Sequence, residues 1–298
     1  QTLENTPVIV HAGPFGNIAH GNSSIIGDMI GIHGGDYLIT EAGFGADMGA
    51  ERFFNIKCRI SGMTPDAAVL VATVRALKYH GGVALADLGL PNAEAVARGS
   101  ANLAKHIENL KSFGLPVVVA INAFAADTPE EHEAIRRAAA AYGVEAVLSE
   151  GWAHGGSGTA DLARAVVAAS KGPVSPKFTY DLSDPMEEKI RKIATQIYGA
   201  DGVVFAPAAK ASIKRIIEIG LGELPVCMAK TQKSFTDNEK IIGRPTGFDV
   251  TVRGLEVSAG AGFVVPLLGD MLRMPGLPEV PAAEHMKIDG AGRIEGLS

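Results

Sequence analysis

Short apolar runs alternate with amphipathic stretches along the chain. The apolar runs are rich in β-branched residues, and their lengths match those of strands. They lie at residues 8–10, 37–40, 67–73, 116–121, 146–148, 202–205, 225–228 and 248–257. The run from Val117 to Ile121 is apolar at every position, which is typical of a parallel strand covered on both faces. The pattern therefore favours a buried parallel sheet.

Helical patterns lie between the predicted strands. The clearest three cover residues 99–113, 129–142 and 184–199. The first carries Leu103, Ile107 and Leu110 on one stripe, and Gly114 ends it. The second follows Thr128, a good N-cap residue before proline. Strands that alternate with such helices predict an α/β fold with mainly parallel sheets and flanking helices.

The length and composition suit more than one packed core. The chain has 298 residues, of which 47% are hydrophobic and 20% charged. We expect residues 1–113 to end a large α/β domain, residues 114–205 to form a second, and residues 206–298 to form a smaller third with a C-terminal wrap. The chain begins at Gln1 and reaches an apolar run almost at once, so we expect a truncated or processed chain.

The charge and the cysteines narrow the function classes. The formal net charge is −6 and no long basic run occurs, so nucleic acids and anionic membranes are poor partners. No apolar run reaches the roughly 18–20 residues of a membrane helix, and the start does not resemble a signal peptide. Cys58 and Cys227 are the two cysteines, and so few of them suggest a reducing compartment.

A glycine-rich stretch at residues 10–24 follows the first apolar run. It holds two histidines, two asparagines and two serines, and it leads into a helical pattern. Glycines let a backbone approach a ligand, and a helix N-terminus favours an anion. No Gly-Lys-Ser/Thr sequence follows, so the stretch is not a Walker A loop. An anion site and a structural turn both remain open.

Residues 39–51 form a second turn after an apolar run. The carboxylates of this turn, Glu41, Asp47 and Glu51, flank a Gly43-Phe44-Gly45 sequence. Ligands of open α/β sheets bind beyond the carboxyl ends of strands, where this turn is expected. Because glycines cannot shield a phenyl ring, we favour a ligand contact for Phe44. The alternative is a ring that folds back onto the sheet.

Two more aromatics, Phe124 and Trp152, follow predicted strands. Trp152 is the only tryptophan, and its neighbours are glycines, an alanine and a histidine that cannot bury it. If the two strands are adjacent, both aromatics lie at one sheet edge, where a flat heterocycle would stack. A planar-ligand site and a structural role both remain open on these residues alone.

The remaining candidate stretches are less specific. Residues 225–232 end an apolar run in polar residues, and residues 258–262 form a loop of small residues, but their spacing indicates no chemistry. No His-x-x-x-His or Cys-x-x-Cys spacing occurs, and no Gly-x-Ser-x-Gly elbow, so we expect neither a protein-held metal nor a serine hydrolase.

Taken together, these segments resemble the formate–tetrahydrofolate ligase family. The resemblance covers the whole chain. Its most specific pieces are GPFGNIAHG at 13–21, TEAGFGAD at 40–47, FFNIKCR at 53–59, ATVRALK at 72–78 and SAGAGF at 258–263. Agreement at so many separate places indicates membership and not chance.

The resemblance implies a substrate set and a site. Members join formate to tetrahydrofolate with ATP, through formyl phosphate. By resemblance the pterin lies against Phe124 and Trp152, with Leu148 nearby. The Gly43-Phe44-Gly45 turn is implied at the formyl phosphate. We expect Glu41 to be a catalytic residue with this turn, and Ser258, Ala259 and Gly260 to bind the nucleotide. The resemblance also implies Mg with ATP, a monovalent cation, a P-loop-NTPase-like main domain and a cytoplasmic homotetramer.

Two departures from the family pattern affect these expectations. Ala125 stands where the family often has proline after the pterin phenylalanine, which would loosen that wall without removing it. The family's Walker-type loop and an acyl-phosphate arginine have no counterpart in these residues. Because phosphoryl transfer needs such clamps, we expect this chain alone to be an incomplete ligase that requires an N-terminal segment.

Two alternatives to a ligase portion remain. One is a non-catalytic folate-binding or regulatory module, which a test for a second polypeptide with the phosphate loop would distinguish. The other is an α/β NTPase-like domain with a different substrate, which the paired aromatics disfavour.

Overall fold

The computed structural model describes residues 1–2, 4–10, 20–269, 280–281, 284–285, 287–288 and 294–295. The α-helices are α1 (Ile25–Gly34), α2 (Arg59–Ser61), α3 (Val74–His80), α4 (Ala93–Ser112), α5 (Pro129–Ala140), α6 (Gly151–His154), α7 (Ala160–Ala169), α8 (Met186–Lys192) and α9 (Pro207–Glu218). Wider π-helical turns are π1 (Ala46–Ala50), π2 (Phe53–Cys58) and π3 (Ile193–Tyr198), and short 3₁₀ turns cover Leu85–Asp87 and Gly155–Thr159. The strands are β1 (Ala68–Ala72), β2 (Val117–Asn122), β3 (Glu145–Ser149), β4 (Gly202–Phe205), β5 (Asp249–Ser258), β6 (Phe263–Leu268), β7 (Lys287–Ile288) and β8 (Ile294–Glu295).

The first sheet is parallel, in the order β1-β2-β3. Its central strand β2 is buried from Val117 to Ile121, because α4, α5 and α7 pack against it. This all-apolar strand and the α/β class are as the sequence predicts. The register sets Ile121 beside Leu148, so the carboxyl ends of β2 and β3 are neighbours.

Local capping explains where the predicted helices begin. Thr128 Oγ1 accepts the Glu131 N–H while the Glu131 carboxylate accepts the Thr128 N–H, so α5 starts in a complete capping box. The Glu131 carboxylate also lies 3.1 Å from Lys78 Nζ, which ties α5 to α3. The helix predicted at 184–199 is α8 followed by π3, and the one at 99–113 lies within α4 and its C-cap.

The second sheet is mixed, in the order β4-β5-β6. Strands β4 and β5 are parallel, whereas β5 and β6 are antiparallel across a short turn. The predictions at 202–205 and 248–257 match β4 and β5, but β6 has no counterpart among the predicted strands. The expected strand at 225–228 is replaced by isolated bridges from Val226 and Ala229 to β6.

Two further expected strands are wrong. Residues 8–10 and 37–40 adopt irregular backbone in the structure. A strand requires a ladder partner, and neither segment pairs with another strand of the described chain. They lie instead beside α1, where the Ile9 and Leu38 side chains fill the space above Gly31.

Each expected domain limit separates two strands that pair within one sheet. Strands β1 and β2 pair across the limit after residue 113, and β4 and β5 pair across the limit after residue 205. One core also joins Phe54 and Phe113, whose rings stack at 4.4 Å, with residues of the second sheet such as Val250. The P-loop-NTPase-like character and the three-domain division stay predictions.

The ends of the chain add little to the core. Strands β7 and β8 pair antiparallel, with Lys287 opposite Glu295 and Ile288 opposite Ile294. The Gly- and Pro-rich stretch at 274–278 lies outside the described residues. None of the helices that the structure describes combines the length and the apolar character needed to cross a bilayer.

Candidate functional site

The Gly43-Phe44-Gly45 turn holds a strained backbone. Phe44 has φ of 59°, in the left-handed region that a phenylalanine rarely adopts, and its side chain is 45% exposed. The Gly43 N–H donates to the Gly21 carbonyl at 2.9 Å. A Cβ atom on Gly49 would stand 1.8 Å from the Gly43 oxygen. Phe44 therefore projects from a turn whose base is three closely packed glycine backbones.

Below this turn, π1 carries a buried ion pair. Asp47 Oδ2 lies 2.8 Å from the Nζ atom of Lys230, a fully buried side chain. Burial alone would raise the pKa of Asp47, but the Lys230 ammonium and His106 hold it below its ordinary value. Burial lowers the pKa of Lys230, and the Asp47 carboxylate opposes that effect. The pair therefore fixes a negative oxygen directly under the turn.

A cleft of about 240 Å³ opens beside Gly45. It is lined by Gly45, Asp47, Tyr79, His80, Asn102, His106, Gln232, Lys233, Ser234 and Phe235. His80 Nδ1 accepts the Gly243 N–H at 3.0 Å, and burial lowers the pKa of His80 to about 4, so the ring is neutral at pH 7. Burial also lowers the pKa of His106, against the opposing charge of Asp47. Of the predicted site residues, this cleft contains only Gly45.

A second buried carboxyl, Glu51, follows π1. Its Oε1 atom accepts from Asn55 Nδ2 at 2.7 Å, while Oε2 has no hydrogen-bond partner. Burial raises the pKa of Glu51 to about 7, although Asn55 and the nearby Arg52 lower it in part. Near neutral pH, part of the Glu51 carboxyl population is therefore protonated and part is ionised.

Glu41 lies on the surface at the entrance to the turn. Its carbonyl oxygen accepts from Asn22 Nδ2 at 2.9 Å, and Asn22 Oδ1 accepts from Thr40 and from the buried Lys57. Lys57 Nζ also lies 2.5 Å from Asp28 Oδ2 in α1. This network fixes the backbone around Glu41 and leaves its carboxylate exposed. Residues 11–19 of the glycine-rich stretch lie outside the described residues.

The predicted pterin residues lie at or just after the carboxyl ends of two adjacent strands of the first sheet. Phe124 follows β2 and Trp152 follows β3, and the Ala123 N–H donates to the Ser149 carbonyl, which joins the two strand ends. Trp152 is 92% exposed and Phe124 is 54% exposed. Leu148, within β3, is partly buried. The condition that the two strands are neighbours is met, whereas the binding of a planar ligand there stays a prediction.

The loops under these aromatics are held by side chains. The Phe124 N–H donates to Asp127 Oδ2 at 2.9 Å, and this oxygen lies 3.4 Å from His132 Nε2. After Trp152, the Gly156 N–H donates to Glu4 Oε1 at 2.7 Å. Both rings therefore stand on ordered backbone although they are exposed.

The residues predicted to bind the nucleotide are separate from the two groups of residues described above. Ser258 is the last residue of β5, and Ala259 and Gly260 follow it in the turn to β6, where the Gly262 N–H donates to the Ser258 carbonyl at 2.8 Å. Within the described residues, no group of three or more His, Cys, Asp or Glu side chains is arranged to hold a metal ion.

Sequence reasoning missed Lys230, His106 and His80. Lys230 stands in the polar end of residues 225–232, a stretch noted without a role. His106 lies three residues after Leu103 and four before Leu110. This spacing alone predicts that His106 lies on the buried stripe of α4. His80 ends α3, and nothing near it in sequence indicates its contact with Gly243.

One comparison with known proteins bears on the whole chain. The family model described as formate–tetrahydrofolate ligase matches residues 1–298.

Proposed function

The chain belongs to the formate–tetrahydrofolate ligase family, and from this premise we propose that it supplies the folate site and part of the formyl phosphate site. The family catalyses the ATP-dependent ligation of formate to tetrahydrofolate. The observation that carries the proposal for this chain is the pair of exposed aromatics, Phe124 and Trp152, at one sheet edge.

The proposed reaction has two steps. A formate oxygen attacks the γ-phosphorus of ATP, so that ADP leaves and formyl phosphate forms. The N10 nitrogen of tetrahydrofolate then attacks the formyl carbon, the bond from that carbon to the phosphate oxygen breaks, and N10 loses its proton. Both steps build negative charge on oxygens, which positioned donors stabilise in a site that excludes water.

The folate end of the site is assigned to the edge of β2 and β3. Exposed apolar side chains that share one part of a surface mark a partner or ligand site more often than single ones do, and Phe124 and Trp152 are exposed at one sheet edge. A pterin that stacks on Phe124 and Trp152 gains roughly 0.5–1.5 kcal/mol per ring beyond the burial of apolar area. Leu148 is assigned to the apolar wall of this site, since it lies in β3 beside Ile121 and close to the carboxyl end of the strand.

The reacting end is assigned to Glu41, Gly43, Phe44 and Gly45. Strained residues held by their surroundings are often found at functional sites, and Phe44 is strained. Because Gly43 and Gly45 have no side chains, their backbone can approach a small acyl group closely. The Glu41 carboxylate is exposed and stands at the same turn, where it can accept a proton from a reacting amine.

The ATP phosphates need groups that these residues do not offer. The 298 residues contain no Gly-Lys-Ser/Thr sequence, so the proposal assigns phosphate binding to a segment outside them. Ser258, Ala259 and Gly260 are proposed to contact the nucleotide through small-residue backbone. Within the described residues, no group of three or more His, Cys, Asp or Glu side chains is arranged to hold Mg, and no step is assigned to Mg or to a monovalent cation. We also propose that the protein is cytoplasmic and that it forms a homotetramer.

Calorimetric titration with tetrahydrofolate tests the folate assignment. Phe124→Leu and Trp152→Ala are expected to weaken binding, the second by tenfold or more. The matched control is Phe178→Leu, because Phe178 is 43% exposed but lies over Arg59 at 3.9 Å, away from this edge. Equal affinity in all four proteins would refute the assignment.

A second candidate function is a folate-binding or regulatory module without ligase activity. The observation that favours it is the absence of a phosphate-loop sequence from the 298 residues. Turnover of ATP after addition of a polypeptide that carries such a loop distinguishes the ligase portion from this module.

A further inference from the structure

The contacts of Gly45 link the strained turn to the buried ion pair. A Cβ atom on Gly45 would stand 2.6 Å from Asp47 Oδ1 and 2.8 Å from His106 Cε1. The carboxylate and the imidazole therefore rest against the Gly45 backbone itself. The Gly45 carbonyl also accepts the N–H groups of Met48 and Gly49, at 3.0 and 2.9 Å. Any movement of Asp47 is transmitted to the residue that follows Phe44.

Lys230 holds Asp47 from the opposite side. Its ammonium donates to Asp47, to the Thr231 carbonyl at 2.9 Å and to the Ser234 carbonyl, and it lies 5.0 Å from the Tyr198 ring centroid. All three of its protons therefore have oxygen acceptors, as an ammonium in a dry site requires.

The position of Lys230 is set by the second sheet. The preceding residue, Ala229, forms a bridge to Leu267 of β6, and its N–H donates to the Pro266 carbonyl at 2.9 Å. The ion pair is consequently a connection between the turn at Phe44 and the rigid edge of β6.

A buried ion pair is an unfavourable contact in one respect, because both charges lose their hydration. Apolar residues of the same size often stabilise a fold better. The left-handed backbone of Phe44 is also unfavourable, and it persists only where neighbouring contacts determine it. The ion pair of Asp47 and Lys230 is a contact of this kind, since Asp47 rests against Gly45, the residue next to the strained Phe44.

We propose that Asp47 and Lys230 are positioning residues, which hold Phe44 in its left-handed conformation at the reacting end of the site. The role rests on the proposed function, since it assigns a purpose to the Phe44 conformation in formyl transfer. Neither residue touches the substrate, and both act through Gly45.

The first test is spectroscopic and does not need turnover. The 298-residue chain is labelled with ¹⁵N-phenylalanine, which gives a spectrum of 11 phenylalanine amides. Asp47→Asn, which keeps the side-chain size, and Lys230→Met, which removes the charge from the other side, should both shift the Phe44 signal. The matched control is Lys78→Met, because Lys78 and Glu131 form another buried pair at 3.1 Å, and it should leave Phe44 unmoved.

The second test is kinetic and uses the complete ligase that contains this chain. Asp47→Asn and Lys230→Met should lower kcat at least tenfold and leave KM for tetrahydrofolate within twofold, whereas Lys78→Met should keep kcat within twofold. An unmoved Phe44 signal in both site variants overturns the inference, and so does a moved signal with unchanged kcat. Loss of folate affinity in Trp152→Ala is independent of these outcomes, so it reports on the proposed function alone.

Discussion

The carbonyl oxygen of Gly43 lies 1.8 Å from the point where a Cβ atom of Gly49 would stand. Gly49→Ala therefore forces π1 away from the strained turn, and we expect a loss of about 3 kcal/mol in the free energy of unfolding. Gly89→Ala is the control, since its Cβ would meet no atom within 4 Å. Urea unfolding of both variants measures the difference. A Gly49→Ala variant as stable as the control would show that the backbones are not in contact.

The Glu51 carboxyl should make stability depend on pH. Its pKa is about 7 in the folded protein against an ordinary 4.5, so the folded state holds its proton more tightly. The free energy of unfolding should then fall as pH rises from about 4.5 to 7. Glu51→Gln removes this fall, and it should stabilise the protein at pH 8 by roughly 3 kcal/mol while changing little at pH 4.

A second carboxyl provides the control of opposite sign. Burial alone would raise the pKa of Glu131, but the N–H groups of Asn92 and Thr128 and the Lys78 ammonium lower it. Its contribution to stability is present above its ordinary pKa and is lost as pH falls below it. Glu131→Gln should therefore destabilise at pH 8 more than at acid pH. If Glu51→Gln behaves like Glu131→Gln, the assignment of a raised pKa to Glu51 is wrong.

The hydroxyl of Thr128 should contribute measurably to α5. Thr128→Ala removes the side-chain half of the capping box, and we expect a loss of about 1 kcal/mol in the free energy of unfolding. Thr128→Ser retains a hydroxyl and should recover most of it. Thermal unfolding of the three proteins is sufficient, and equal midpoints would contradict a role for the cap.

The 298-residue chain should not turn over ATP by itself. With formate and tetrahydrofolate present, we expect no phosphate release above background, because no phosphate-loop sequence is present to stabilise the transferring group. Addition of a polypeptide that carries such a loop should restore turnover. Robust turnover by the chain alone, after its mass is verified, would mean that phosphate clamps exist among these residues.

The elements predicted best are those whose signal is local. The apolar run of β2 and the Thr128 cap of α5 each specify their element within a few residues, and both appear as expected. Strand β6 was missed because Pro266 lies within it and glycines precede it, so its pairing with β5 depends on contacts across the turn. Residues 37–40 have strand composition but no partner strand, and composition alone cannot supply one.

The candidate site was predicted only in part, because local sequence marks some of its residues and contacts between distant positions determine the others. The aromatics Phe124 and Trp152 stand out in sequence because small residues surround them, and the adjacency of β2 and β3 brings their loops to one edge. The ion pair of Asp47 and Lys230 joins positions far apart in the chain, and nothing local marks them as partners. The left-handed Phe44 was likewise unforeseen, since the contacts around its turn join Gly21, Gly43 and Gly49, which are not neighbours in the sequence.

The fluorescence of Trp152 tests the central assignment most directly, because no other tryptophan contributes to it. Tetrahydrofolate is titrated into the 298-residue chain, and the emission is corrected for ligand absorption with free N-acetyltryptophanamide at the same concentrations. We predict a saturable change in emission that moves to higher ligand concentration in Phe124→Leu and not in Phe178→Leu. Corrected emission that stays constant at saturating tetrahydrofolate, with binding verified by calorimetry, would place the folate elsewhere and contradict the account.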